Sequence, residues 1–238
     1  MGRRDCHNRL SDGVFMKKIW VLAAVFFLSS AALAAPADTA KAVRDYAKQM
    51  EAAEAKDRDQ RAAAIIGALE DNPGSPFIGH PQADIIIVEF FDYACPYCKA
   101  VEPRLTALVQ RDKGVKLVLK EFPILTKQSM IASRMALAAV KQGKYAPFHL
   151  AMMRHLGPLD VSDIEQIAKS SGLDVARLKR DMYAPDVTDE IIANFNQARA
   201  IRAFQTPAFI VRGHILGSDS AGINFPAEVA AARKRANP

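Results

Sequence analysis

The feature that most constrains this chain is Cys95-Pro96-Tyr97-Cys98, set between an apolar run and an amphipathic pattern. Ile85-Ile86-Ile87-Val88-Glu89-Phe90-Phe91 is apolar on both alternations and rich in β-branched residues, as a strand buried on both faces requires. Pro96 suits the first turn of a helix, where its missing N–H costs nothing, and Lys99 to Arg111 continues with helical spacing. Val115 to Phe122 then alternates as a second strand and stops at Pro123. Strand, helix, strand, with a CxxC opening the helix, is a βαβ unit and places the chain in the α/β class.

What the cysteine pair can do depends on where the chain works. Met16-Lys17-Lys18, the apolar run Ile19 to Leu28 and Ala32-Leu33-Ala34 follow the order of a cleaved secretory signal. That signal occupies residues 1–34, with 1–15 as an upstream extension. The apolar run falls short of the ~20 residues a membrane span needs, which argues against an uncleaved anchor. Removing residues 1–34 takes away five basic and two acidic residues, so the formal charge falls from +6 to +3 and only Cys95 and Cys98 remain. The remaining basic residues are dispersed, without an aromatic-flanked tract, so nucleic-acid binding has no support. A chain half hydrophobic and a quarter charged is also neither a disordered tail nor a disulfide-dense miniature scaffold.

A disulfide across a two-residue gap removes little unfolded-chain entropy, which makes a structural bridge a poor reading. A zinc site needs four ligands, and no second Cys/His pair stands at suitable spacing. Redox chemistry fits better. A thiol at a helix N-terminus feels the positive end of the dipole and free N–H groups, which lower its pKa below the usual ~8.5. Cys95 is therefore expected to be the exposed, attacking sulfur and Cys98 the shielded, resolving one. Glu89, six residues earlier in an otherwise apolar strand, is expected to lie beneath the helix with a raised pKa. There it would accept the Cys98 proton, the alternative being a solvated acid on an edge strand. Thr206-Pro207 stands just before an apolar run. It reads either as an ordinary proline at a strand start or as a cis-proline loop against the reactive sulfur. In the second case the Thr206 backbone pairs with an extended substrate.

Residues 38–71 read as helix, with Val43, Tyr46, Ala47, Met50 and Ala53 in a heptad-like stripe that lapses and resumes at Ile65, Ile66 and Leu69. Two readings stay open: an oligomerisation arm with a flexible charged middle, or short helices packing on their own domain. Asn72 to Pro76 is a loop. Helical patterns over 127–142, 144–155, 162–171, 174–183 and 186–203 are separated by Gly143, Gly157-Pro158, Gly172 and Pro185. Ala208 to Arg212 and His214 to Gly217 form a strand pair, and Pro226 to Lys234 a closing helix. His149, Met152 and Met153 share a helical face that could offer soft ligands to copper(I). The alternative makes the methionines core filler with the histidines flanking them at the surface.

The run Val88 to Cys98, with Lys120-Glu121-Phe122-Pro123 and Thr206-Pro207-Ala208-Phe209, resembles the DsbA-like branch of the thioredoxin superfamily. More narrowly, it is similar to exported proteins of the copper-sensitivity-suppressor (ScsC) and Com1-like type. The resemblance covers residues 75–236. It implies a thioredoxin fold with an inserted all-helical domain, behind an N-terminal helical arm, and Pro207 in cis. The domains then run as arm 35–72, first thioredoxin half 75–126, helical insertion 127–203 and second half 204–238. Function follows as a periplasmic thiol–disulfide oxidoreductase, oxidase or isomerase, needing neither cofactor nor metal. Cys95, Cys98 and Glu89 would be catalytic, and Pro96, Tyr97, Thr206 and Pro207 would contact substrate. Its partners would be cysteine-containing exported proteins and a membrane thiol–disulfide redox partner. Two departures bear on direction: Pro-Tyr stands where strong oxidases carry Pro-His, and Thr206 where they carry Val. Both lean toward disulfide shuffling or sulfenic-acid reduction. The alternative is a copper-binding or chaperone-like protein using the same thiols.

Overall fold

The computed structural model describes residues 37–216 and 221–236. The secretory leader read at residues 1–34 lies outside the described residues. The chain divides into two units, Met1–Ala53 and Glu54–Pro238. In the first unit, residues 37–53 belong to helix α1 (Ala37–Ala64), as their Ala, Lys, Glu and Gln content favours. Val43, Tyr46 and Met50 follow one another at i+3 and i+4 on one face, and all three are exposed.

The second unit is built on a five-stranded sheet. After α2 (Ile66–Glu70) come β1 (Phe77–Gly79), β2 (Ile85–Phe91), α3 (Pro96–Arg111) and β3 (Val115–Glu121). Five helices follow: α4 (Lys127–Val140), α5 (Tyr145–Arg154), α6 (Val161–Ser170), α7 (Val175–Asp181) and α8 (Pro185–Ala200). The chain closes with β4 (Ala208–Val211), β5 (His214–Ile215) and α9 (Phe225–Ala236). Strand order is β1-β3-β2-β4-β5, with β2 and β3 parallel and the other pairs antiparallel. Side chains at three helix starts accept backbone N–H groups: Thr126, Asp160 in a capping box with Asp163, and Asp174.

β2 is central, and its period-2 alternation separates two cores. Ile85, Ile87 and Phe91 face the cluster that holds α3, α4 and both cysteines, so Glu89 points to that same face. Val88 and Phe90 face a second cluster with Ala62, Leu69, Val118 and Ile201. Each fully buried phenylalanine contributes about 1.5–3 kcal/mol of transfer free energy.

Two expectations need correcting. Ile65, Ile66 and Leu69 are not part of a subunit-linking stripe: Leu69 is fully buried, and all three pack on the second core of their own unit. Nor is the charged middle a loose joint. Within Glu54–Pro238, Asp57 pairs with Arg61 and Arg202, and Asp59 takes the Ile215 N–H while lying 3.0 Å from His214 Nδ1. β1 has no counterpart in the sequence reading, because its three residues carry no periodicity. Its Gly79 has φ +118°, and a Cβ there would meet Val109 and the Val115 carbonyl at 2.8 Å.

Candidate active site

Cys95 is the N-cap of α3, with Pro96 at the first helical position. The Cys98 N–H donates to Cys95 Sγ at 3.4 Å. Cys95 Sγ in turn lies 3.3 Å from the Thr206 carbonyl, delivered by the cis Thr206-Pro207 bond ahead of β4. Residues 111 apart in sequence thus meet at one sulfur. Both cysteines are free thiols. The expectation of an exposed Cys95 is corrected: it is only 2% exposed and Cys98 is fully covered. The outward residues are Pro96 and Tyr97, the latter 65% exposed.

The two thiols are driven apart in acidity. Hydrogen bonding from the Cys98 thiol, then from the Thr206 side chain and the Cys98 and Tyr97 backbone, outweighs burial and brings Cys95 down to about 6. Burial, the hydrogen bond to Cys95 and the charges of Glu89 and Cys95 push Cys98 far up. Near pH 7 about nine-tenths of Cys95 is thiolate, while Cys98 keeps its proton.

Glu89 is buried, 1% exposed, pairing across the sheet with Leu119 and Phe209. Burial, then the charges of Glu102 and Cys95, hold its carboxyl well above the usual range, and its Oε1 has no hydrogen-bond partner. Glu102 was not singled out from the sequence. It lies one turn after Cys98 on α3, buried, and accepts the Thr106 hydroxyl. The i+4 spacing from a cysteine was the available signal.

Asp92 was also missed, and it ties the cysteine turn to the helical region. Its Oδ1 accepts from Ala94 N at 2.7 Å and Ser129 Oγ at 2.6 Å, and its Oδ2 from Ile124 N and Leu125 N, both at 2.9 Å. The Asp92 carbonyl takes the Cys95 N–H. Deeper still, Glu121 Oε1 accepts from Tyr93 OH at 3.1 Å and Tyr145 OH at 2.8 Å. Burial raises Glu121 to about 8.

His149 Nδ1 is 3.0 Å from Tyr93 OH. Burial lowers His149 to about 3. The soft-ligand face is therefore core, and His149 does not flank it at the surface: it is 1% exposed, with Met152 and Met153 buried beside it. Among the described residues no group of three or more His, Cys, Asp or Glu is placed to hold a metal ion.

The family model of DSBA-like thioredoxin domains matches residues 86–225. Among solved structures, a thioredoxin-like oxidoreductase from Silicibacter pomeroyi is 38% identical, with a TM-score of 0.66 over 71% of this chain and 96% of that one. The catalytic domain of Proteus mirabilis ScsC is 25% identical, with a TM-score of 0.65 over 74% of this chain and 97% of that one. A Na(+)/H(+) antiporter, NhaA 3 of Salinispora tropica, is 26% identical over 65% of this chain. The chain spans about a quarter of that relative's length. Among the described residues no helix is long and apolar enough to cross a membrane.

Proposed function

We propose that this chain, which belongs to the DsbA-like thioredoxin-domain family, is a thiol–disulfide oxidoreductase acting through Cys95 and Cys98. The carrying observation is geometric: Cys95 caps α3 and takes the Cys98 N–H, its sulfur lies against the Thr206 carbonyl before the cis-proline, and Cys98 is buried beneath it. In the oxidising direction a substrate thiolate attacks Cys95 Sγ of the Cys95–Cys98 disulfide. That bond breaks, and Cys98 leaves with the electron pair and takes up a proton. A second substrate thiolate then attacks the substrate sulfur of the mixed disulfide and releases Cys95 as thiolate.

In the reverse direction the Cys95 thiolate attacks a substrate disulfide, and Cys98 must lose its proton to resolve the adduct. Glu89 is the acceptor, and the charge pattern supplies the timing. In the dithiol form the Cys95 thiolate raises both Glu89 and Cys98. Bonding Cys95 to substrate removes that charge, so Glu89 ionises more readily when a base is required. Pro96, Tyr97, Thr206 and Pro207 contact the substrate, and the Thr206 backbone pairs with its extended chain.

The chain works in the periplasm on cysteines of exported proteins, after loss of residues 1–34, and a membrane thiol–disulfide partner resets the pair. The arm 35–72 joins subunits through Val43, Tyr46 and Met50, whose exposure supports the reading. Thioredoxin halves 75–126 and 204–238 flank the insertion 127–203. Tyr97 and Thr206 favour shuffling over net oxidation. The test is to mix reduced protein with scrambled ribonuclease and with insulin. Activity on either that disappears in Cys95→Ala is expected, and a fully active Cys95→Ala variant overturns the proposal. Trapping the pair's redox state in cells sets direction, oxidised for an oxidase and reduced for an isomerase or reductase.

A further inference from the structure

Beside the reactive sulfur, α3 and the segment joining α5 to α6 enclose a groove of about 760 Å³. Its floor includes Pro96, Ala100 and Pro103, exposed on one face of α3. Its opposite wall carries Leu156, 90% exposed, and Pro158. An exposed leucine facing exposed prolines across a groove is apolar surface left for a partner. From Pro96 to Pro103 the helix rises about 10 Å, which three residues of extended chain would span.

Two further features define what fits. Pro103 lies inside α3 and has no N–H, so this turn of the helix presents a rigid apolar ring to the groove in place of a backbone donor. The rim is cationic. Lys99 Nζ is committed to the His155 carbonyl at 2.8 Å, but Arg154, also on the rim, is exposed and has no carboxylate partner among the described residues. Nearby Asp160 and Asp163 cap α6 and bond each other's backbone. Glu102, at the groove's base, is buried and holds the Thr106 hydroxyl.

We propose that this groove binds the substrate polypeptide next to its reacting cysteine, taking an extended segment of about three residues with an apolar side chain against Leu156 and a carboxylate on Arg154. The occupant is thus an apolar–acidic stretch of a cysteine-containing chain, held while its sulfur exchanges at Cys95. The inference rests on the thiol–disulfide reading above and adds a preference to it. Pro96 and Pro103 keep the α3 wall rigid, so the segment is ordered against a preformed surface.

The test uses the oxidised mature chain and reduced synthetic peptides with one cysteine. One peptide has Leu and Asp within three residues of the cysteine, on each side in turn; a second replaces Asp by Lys and a third replaces Leu by Ser. Rates of disulfide opening are compared with those for dithiothreitol, which is uncharged and too small to fill the groove. The Leu/Asp peptide should react about tenfold faster than the Lys peptide at low salt. Arg154→Glu should erase or invert that ratio. Leu156→Asp should remove the advantage of Leu over Ser, with dithiothreitol rates unchanged in both variants. Equal rates for the peptides, or a preference that survives Arg154→Glu, overturn the groove. A native protein whose disulfide dithiothreitol cannot open overturns the redox reading beneath it.

Discussion

Replacing Cys98 should make Cys95 a weaker acid, and the structure sets the size of the change. Cys95 falls from 9.0 to about 6, a net stabilisation of the thiolate by about 4 kcal/mol. Four contributions lower it, with the Cys98 thiol first and burial opposing. A hydrogen bond to a charged group is worth about 1.5–3 kcal/mol, so losing the Cys98 donor should cost the thiolate at least about 1 kcal/mol. Cys98→Ala should therefore bring Cys95 to about 7 or above. Alanine also leaves space for water, which acts the other way by relieving burial. Cys98→Ser is the control: it keeps an O–H donor in nearly the same volume, so its Cys95 should remain well below that of the alanine variant. In both variants of the mature chain Cys95 is the single thiol, so the pH dependence of iodoacetamide labelling reads it directly. At pH 6 the alanine variant should label about fivefold more slowly than the native protein, converging by pH 9, because the thiolate fraction falls from a half to about a tenth. An alanine variant as acidic as the native protein, or serine and alanine variants that coincide, would show that the Cys98 donor does not hold the thiolate.

The groups that set the Cys95 acidity lie elsewhere, so Glu89→Gln should barely move the Cys95 titration while resolution of a Cys95 mixed disulfide slows about tenfold or more. Stopped-flow resolution at native speed would remove Glu89 from the mechanism. Glu121 is protonated in the folded state up to about pH 8 but ionises near pH 4.5 when unfolded, so native stability is lost as pH rises through that window. Glu121→Gln, which still accepts from Tyr93 and Tyr145, should escape that loss. Its unfolding free energy relative to the native protein should climb between about pH 4.5 and pH 8 in urea titrations, and a flat difference would contradict the burial argument. Changing Val43, Tyr46 and Met50 together to Ser should yield monomers by light scattering and lower isomerase activity on scrambled ribonuclease, leaving single-thiol exchange intact. A native protein that is already monomeric, or a variant that shuffles equally well, would leave the arm without that role.

Much of the frame was legible because its signals are local. A β-branched run followed by Cys-Pro at a helix start specifies β2, the turn and α3 without reference to distant residues. The capping residues Thr126, Asp160 and Asp174 mark their helices in the same way. What escaped was set by partners far along the chain. Nothing local to Lys120 marks it as buried, yet it is fully buried and donates to Ser75 Oγ at 2.6 Å. Ser75 in turn gives its proton to Glu190, 115 residues on, at 2.5 Å. Burial lowers Lys120 to about 8. The two readings of the arm stayed open for a related reason. Periodicity places apolar residues on one face but does not say what covers that face, so Val43 and Leu69 looked alike until one proved exposed and the other buried.

The same limit governs the charges around the reaction. The apolar strand around Glu89 already points to a raised pKa, whereas nothing local marks Glu121, and a histidine beside two methionines reads as a candidate ligand as well as core. Burial keeps Glu121 largely neutral near pH 7 and His149 uncharged, and it holds Glu89 well above the usual carboxylate range. The resting protein therefore does not present Glu89 as a ready base beneath Cys98. It presents an acid whose ionisation is opposed by the Cys95 thiolate as well as by burial. Only when substrate takes up that thiolate in a disulfide does the opposing charge vanish, at the step where Cys98 must give up its proton. A base that was ionised from the start would raise Cys98 further and compete with the Cys95 thiolate, weakening the nucleophile that begins the reaction. Under the proposed role of Glu89, its burial on the α3 face of the central strand is what keeps attack and resolution in sequence.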